Sequence, residues 1–77
     1  MKVKVIVHGH AVEYFPDKRE QFDYTFEEGQ TVQGMLGELG IIPELVMKIV
    51  ADGKPVTKGY VLRDGETLVL LTPVAGG

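Results

Sequence analysis

Seventy-seven residues leave room for a single domain, and a net charge of −3 with no basic block argues against nucleic acid as a partner. With no cysteine and only two histidines, neither disulfides nor a thiolate zinc site staples the chain, so no metal site is expected and the fold rests on a core drawn from its 44% hydrophobic residues. No apolar run approaches membrane-spanning length, and MKVKVIV lacks the long apolar stretch and cleavage site of a signal peptide. The expectation is a cytoplasmic protein with no membrane partner.

Met1 to Val7 alternates and is β-branched, which predicts a first strand with Val3, Val5 and Val7 facing the core. His8 to Glu20 carries Gly9, Pro16 and a charged cluster and reads as a long connection with a little structure of its own. His8 and His10, two apart, read as polar features of that connection rather than as metal ligands. QFDYTFEE alternates again, with Phe22, Tyr24 and Phe26 on one face of a second strand, antiparallel to the first. Thr31 then caps a helix whose apolar stripe is Val32, Met35, Leu36 and Leu39, and Gly40 ends it. Gly34 and Gly37 each cost about 1 kcal/mol relative to alanine, and the spacing in GMLGELG does not form a phosphate loop. Close packing of the helix on the sheet is the expected reason for them.

Ile41 to Leu45 is a turn around Pro43. Val46 to Ala51 reads as a third strand, and Asp52-Gly53 as a tight hairpin into a short fourth strand, Lys54 to Thr57. Pro55 has no N–H to give, so the fourth strand belongs at a sheet edge. Lys58 to Glu66 is a loop with a second Asp-Gly pair, and Thr67 to Thr72 is the last strand. The order β-β-α-β-β-β is best satisfied if the first and last strands lie side by side and parallel at the sheet centre, with the helix across one face. Leu68 and Leu70 then face the helix. Val69 and Leu71 face the other way, where they serve either as partner-binding residues or as ground covered by the connection His8 to Arg19.

The chain ends PVAGG, launched directly from that central strand. A β-grasp layout (α+β, a mixed sheet with one main helix on one face), a length near that of ubiquitin and a terminal Gly-Gly together resemble the MoaD/ThiS family of ubiquitin-like sulfur carriers. Val50 to Gly77 looks like the C-terminal half of that family almost throughout: the Asp-Gly hairpin, the VLRDGE turn, the apolar last strand and the tail. PVAGG in particular is similar to the molybdopterin branch, the small subunits of molybdopterin synthase. The division expected is a β-grasp domain over residues 1–72 and a tail over residues 73–77.

What the resemblance implies is chemistry at the chain terminus. An adenylating enzyme of the ubiquitin-activating type would spend ATP on the α-carboxylate of Gly77. A persulfide sulfur donor would then displace AMP and leave a thiocarboxylate. Gly76 and Gly77, without Cβ atoms, suit a narrow active-site channel. Pro73 stiffens the root of the tail, and Val74 and Ala75 offer small apolar contacts. The carrier itself would be a co-substrate rather than an enzyme, with no bound cofactor, and it carries no GxxxxGK[ST] nucleotide loop. The receiving pathway stays open: molybdopterin assembly with a synthase large subunit, the thiazole of thiamine or another sulfur metabolite, or isopeptide transfer to proteins.

Overall fold

The computed structural model describes residues 1–15 and 19–72. Among these, five strands and one helix follow the chain as β1 (Lys2–His8), β2 (Gln21–Thr25), α1 (Val32–Glu38), β3 (Lys48–Ala51), β4 (Lys54–Val56) and β5 (Thr67–Leu71). Short 3-10 turns occupy His10–Tyr14 and Pro43–Leu45. The strands form one sheet in the order β2-β1-β5-β3-β4. β1 and β5 are parallel, and the other three pairings are antiparallel. This is the β-grasp arrangement expected from the element order, with the last strand at its centre.

Each local signal has a physical counterpart. Val3, Val5 and Val7 are all buried, as the alternation requires. The Thr31 hydroxyl accepts the Gly34 N–H at 3.1 Å, satisfying one of the helix's orphan donors. Val32, Met35 and Leu36 are fully buried, and Leu39 packs against the same cluster. Asp52 and Gly53 both take positive φ, 47° and 83°, the pattern of a two-residue hairpin with the right twist. β4, which carries Pro55, lies at the sheet edge.

Three details depart from the sequence reading. The glycines of α1 do not reflect close packing on the sheet: Gly34 and Gly37 are exposed, a Cβ on Gly37 would meet nothing within 4 Å, and one on Gly34 would crowd the Gln30 and Thr31 side chains, at 3.0 and 3.3 Å. The stripe that faces the sheet is Val32-Met35-Leu36, and helical phase turns positions 34 and 37 away from it. β3 starts at Lys48 rather than Val46, because the Val46 N–H bonds the Pro43 carbonyl at 3.0 Å within the preceding 3-10 turn. The first connection also contributes to the core. Phe15 is buried, its ring 6.0 Å from that of Phe22, and Val12 packs on the same core.

Candidate functional site

The site grows from the end of β5, and its position is fixed at the start of that strand. Gly65, at φ 84°, turns the chain so that its N–H reaches the Lys2 carbonyl at 2.8 Å. The Lys4 N–H then bonds the Glu66 carbonyl at 3.0 Å. The Glu66 carboxylate is buried and accepts from the Tyr60 hydroxyl at 2.5 Å and the Arg63 N–H at 2.9 Å, which holds the loop in shape. That bond, with burial adding to it, raises the Tyr60 pKa above its ordinary value. The register that results pairs Lys4 with Thr67 and runs on to His8 with Leu71. The VLRDGE turn thus sets where the chain leaves the sheet.

It leaves at Thr72. This residue is only 6% exposed. Its N–H and its hydroxyl both donate to the His8 carbonyl, each at 2.8 Å. Gly9 lies against it so closely that a Cβ there would sit 2.3 Å from the Thr72 carbonyl oxygen and 2.4 Å from its hydroxyl. Neither Gly9 nor Thr72 stands out in the sequence, because residues 63 positions apart carry no local pattern that links them. The tail positions Pro73, Val74, Ala75, Gly76 and Gly77 lie outside the described residues, as does the proposed division at residue 73.

Val69 and Leu71 are half-buried on the sheet face opposite α1. Registers carry a row across that face from Ile6 through Val69 and Val50 to Pro55, with Leu71 beside it between His8 and Lys48. Ile6 and Val50 are also half-buried, and Met47, whose N–H bonds the Leu71 carbonyl at 2.8 Å, is 72% exposed. Phe15 and Val12 of the first connection pack into the core on the helix side instead. Ile6 and Val50 were legible in principle, since alternation puts them opposite Val3, Val5, Val7 and Ile49. The face is rimmed by Lys2, Lys4 and Lys48, with Asp23 as an acidic neighbour, 3.7 Å from the Lys2 ammonium. The net acidity of the chain therefore does not extend to this surface.

Among the described residues no three His, Cys, Asp or Glu side chains group to hold a metal ion, and no helix is long and apolar enough to cross a membrane. What the arrangement offers is a central strand, paired on both sides, ending beside an apolar, lysine-rimmed sheet face.

Comparison with known proteins bears on that arrangement. The model of the ThiS family matches residues 9–77. No curated protein matches the chain. Among solved structures, one chain of the complex of subunits 1 and 2 of molybdopterin-converting factor from Helicobacter pylori is similar at 27% identity and a TM-score of 0.57, over 100% of both chains. A putative molybdopterin converting factor subunit 1 from Pyrococcus furiosus has 18% identity and a TM-score of 0.70, over 95% of this chain and 98% of that one. SAMP1 from Haloferax volcanii has 14% identity and a TM-score of 0.73, over 100% of both. The last two likenesses speak to the fold.

Proposed function

The chain belongs to the ThiS family of ubiquitin-like sulfur carriers, and from that premise we propose that its working group is the α-carboxylate of Gly77, converted to a thiocarboxylate that donates sulfur in molybdopterin assembly. A carboxylate resists nucleophiles because of its charge and its poor leaving group. Attack of its oxygen on the α-phosphate of ATP, with loss of pyrophosphate, gives a mixed anhydride from which AMP departs readily. The terminal sulfur of a persulfide donor displaces AMP to give an acyl disulfide. A second thiol on the donor side then attacks the donor's sulfur in that S–S bond, forming a disulfide with it and releasing the thiocarboxylate. The adenylating enzyme supplies the nucleotide site, and this cytoplasmic carrier supplies the acyl group.

The observation that carries the reading is that the family match runs to Gly77 itself. The geometry supports it. A tail rooted on the central strand has a fixed base, and the apolar face beside it suits a partner that must hold the domain while the terminus reacts. We assign Val69 and Leu71, with Ile6 and Val50, to that contact, Lys4 and Lys48 favouring an acidic rim on the partner. The pathway assignment leans on the Helicobacter pylori neighbour, which comes from a complex of two converting-factor subunits. A synthase large subunit is accordingly the proposed receiver.

A second reading uses the same activated terminus: a target lysine displaces AMP and forms an isopeptide bond. Its support is the Haloferax neighbour described as a small archaeal modifier protein. Intact-mass measurement on the protein from its native host decides. Replacement of one oxygen by sulfur at the C-terminus is the expected result, and branched Gly-Gly remnants on other proteins' lysines would favour the modifier. Deleting Gly77 should abolish sulfur acquisition and leave thermal unfolding unchanged. A deletion variant that still acquires sulfur would overturn the carrier assignment.

A further inference from the structure

We propose that Gly9 and Thr72 form a positioning clamp that sets the direction in which the chain leaves the domain, and that acyl chemistry at the terminus depends on it. The proposal rests on the carrier reading and goes beyond it by assigning roles to two residues outside the tail. Gly9 has φ 108° and ψ −169°, a region open essentially to glycine alone. That conformation turns the chain aside immediately after β1 and opens the space that Thr72 fills. A side chain at position 9 would collide with the backbone of Thr72 as well as with its hydroxyl: its Cβ would lie 2.3 Å from the carbonyl oxygen, 2.4 Å from the hydroxyl and 2.8 Å from the carbonyl carbon.

Thr72 is also held by two bonds to one acceptor, its N–H and its hydroxyl both reaching the His8 carbonyl at 2.8 Å. A backbone bond alone would only continue the parallel ladder. The hydroxyl adds a second tie at the point where the ladder stops. The sequence adds a third constraint, because a residue before proline is confined to extended backbone. The last residue of the domain is thus fixed by three constraints. A short terminus that must enter an enclosed active site gains from a fixed departure angle, since reacting atoms must arrive aligned.

The test uses the full chain. The absence of cysteine allows clean spin labelling at Gly77→Cys and at the exposed Glu28→Cys, with distance distributions measured in otherwise wild-type, Gly9→Ala, Thr72→Val and Thr72→Ser backgrounds. In parallel, chains with native Gly77 are assayed for the rate of thiocarboxylate formation in ATP-supplemented extract of the native host. Thr72→Val keeps the shape and the backbone bond and loses only the hydroxyl, so it serves if Gly9→Ala fails to fold.

The expected result is a broadened distance distribution in Thr72→Val and Gly9→Ala, narrow again in Thr72→Ser. Rates should fall about fivefold for Thr72→Val, the worth of one hydrogen bond, and on the order of 100-fold for Gly9→Ala, as for a misplacement of about 1 Å. Unchanged distributions would overturn the clamp, and broadened ones with wild-type rates would overturn its role in the acyl chemistry. If the wild-type chain acquires no sulfur, the carrier reading fails and takes the catalytic half of the proposal with it. The distance distributions still decide by themselves whether the exit is clamped.

Discussion

Leu68 and Leu70 of β5 have no solvent exposure, whereas Val69 and Leu71, interleaved with them, stay half-buried. All four are apolar and branched, and all four lie on the same central strand. What separates them is the layer above. On one side α1 and Phe15 close over the sheet; on the other, the registers bring together Ile6, Val50, Val69, Leu71 and Pro55 with lysines around them. A period-two strand makes two apolar faces, and one short helix covers only one. The covered face holds the domain together. The open face has a composition that folding does not need, which suits a surface used in association.

Substitutions on the two faces should separate these roles, and the largest effect belongs to the covered side. Leu70→Ala removes a fully buried side chain from a well-packed core, which costs about 3 kcal/mol. In a domain of this size that lowers the melting temperature by roughly 12–24 °C. Leu71→Ala, one residue away, should cost about 1 kcal/mol or less. Thermal melts of the two variants side by side are the check. Equal losses would mean that the open face is as much a part of the core as the covered one.

The converse effect comes next in size. A carboxylate at Leu71 or Val69 meets solvent in the free domain, so Val69→Asp and Leu71→Asp should leave the melt close to that of the alanine variants. Docked against a partner's apolar surface, the same charge is stripped of water. A loss of about 2 kcal/mol, near 30-fold in affinity, is expected for the adenylating enzyme or a synthase large subunit. Titration calorimetry with either protein measures it. Undiminished binding would remove the open face from the contact.

Most of the covered face was legible in the sequence because its signals are local. The alternation of Val3, Val5 and Val7, the cap at Thr31, the Asp52-Gly53 hairpin and the apolar run of β5 each need only a few adjacent residues. Phe15 escaped because two adjacent aromatics in a loop, Tyr14 and Phe15, show no period. Leu62 escaped for a similar reason: it is buried, and its N–H bonds the Gln30 carbonyl at 2.8 Å, a pairing between segments far apart in the chain. The family was legible at the C-terminal end of the chain, where Gly-Gly and the preceding strand carry the resemblance that the match over residues 9–77 bears out. The root of the proposed tail was not legible. The meeting of Gly9 with Thr72 exists only once the parallel pairing of β1 with β5 has brought position 9 beside position 72.

The smallest effect concerns the edge of the covered face, where β2 is fastened to the end of α1. The Tyr24 hydroxyl donates to the Glu38 carboxylate at 2.5 Å, and the Gln30 amide donates to both, at 3.0 Å to Glu38 and 3.3 Å to Tyr24. Burial of the phenol, then its bond to Glu38 and that residue's negative charge, push the Tyr24 pKa up from 10.0 to about 12. A raised pKa on an acid means that the unfolded chain releases its proton first. Between pH 10 and pH 12 the folded state therefore binds more protons than the unfolded state, and stability falls as pH rises. The contribution is whole below pH 10 and gone above the folded value. Tyr24→Phe should lose about 1 kcal/mol at neutral pH, and the gap between it and the wild type should close across that alkaline window. Tyr60, also raised, remains in both chains and cancels in the difference. Denaturant titrations of the two proteins at pH 8 and near pH 11.5 are the measurement. No gap at either pH would mean that Tyr24 contributes packing alone, and a gap constant with pH would mean that its phenol titrates alike in the folded and unfolded chains.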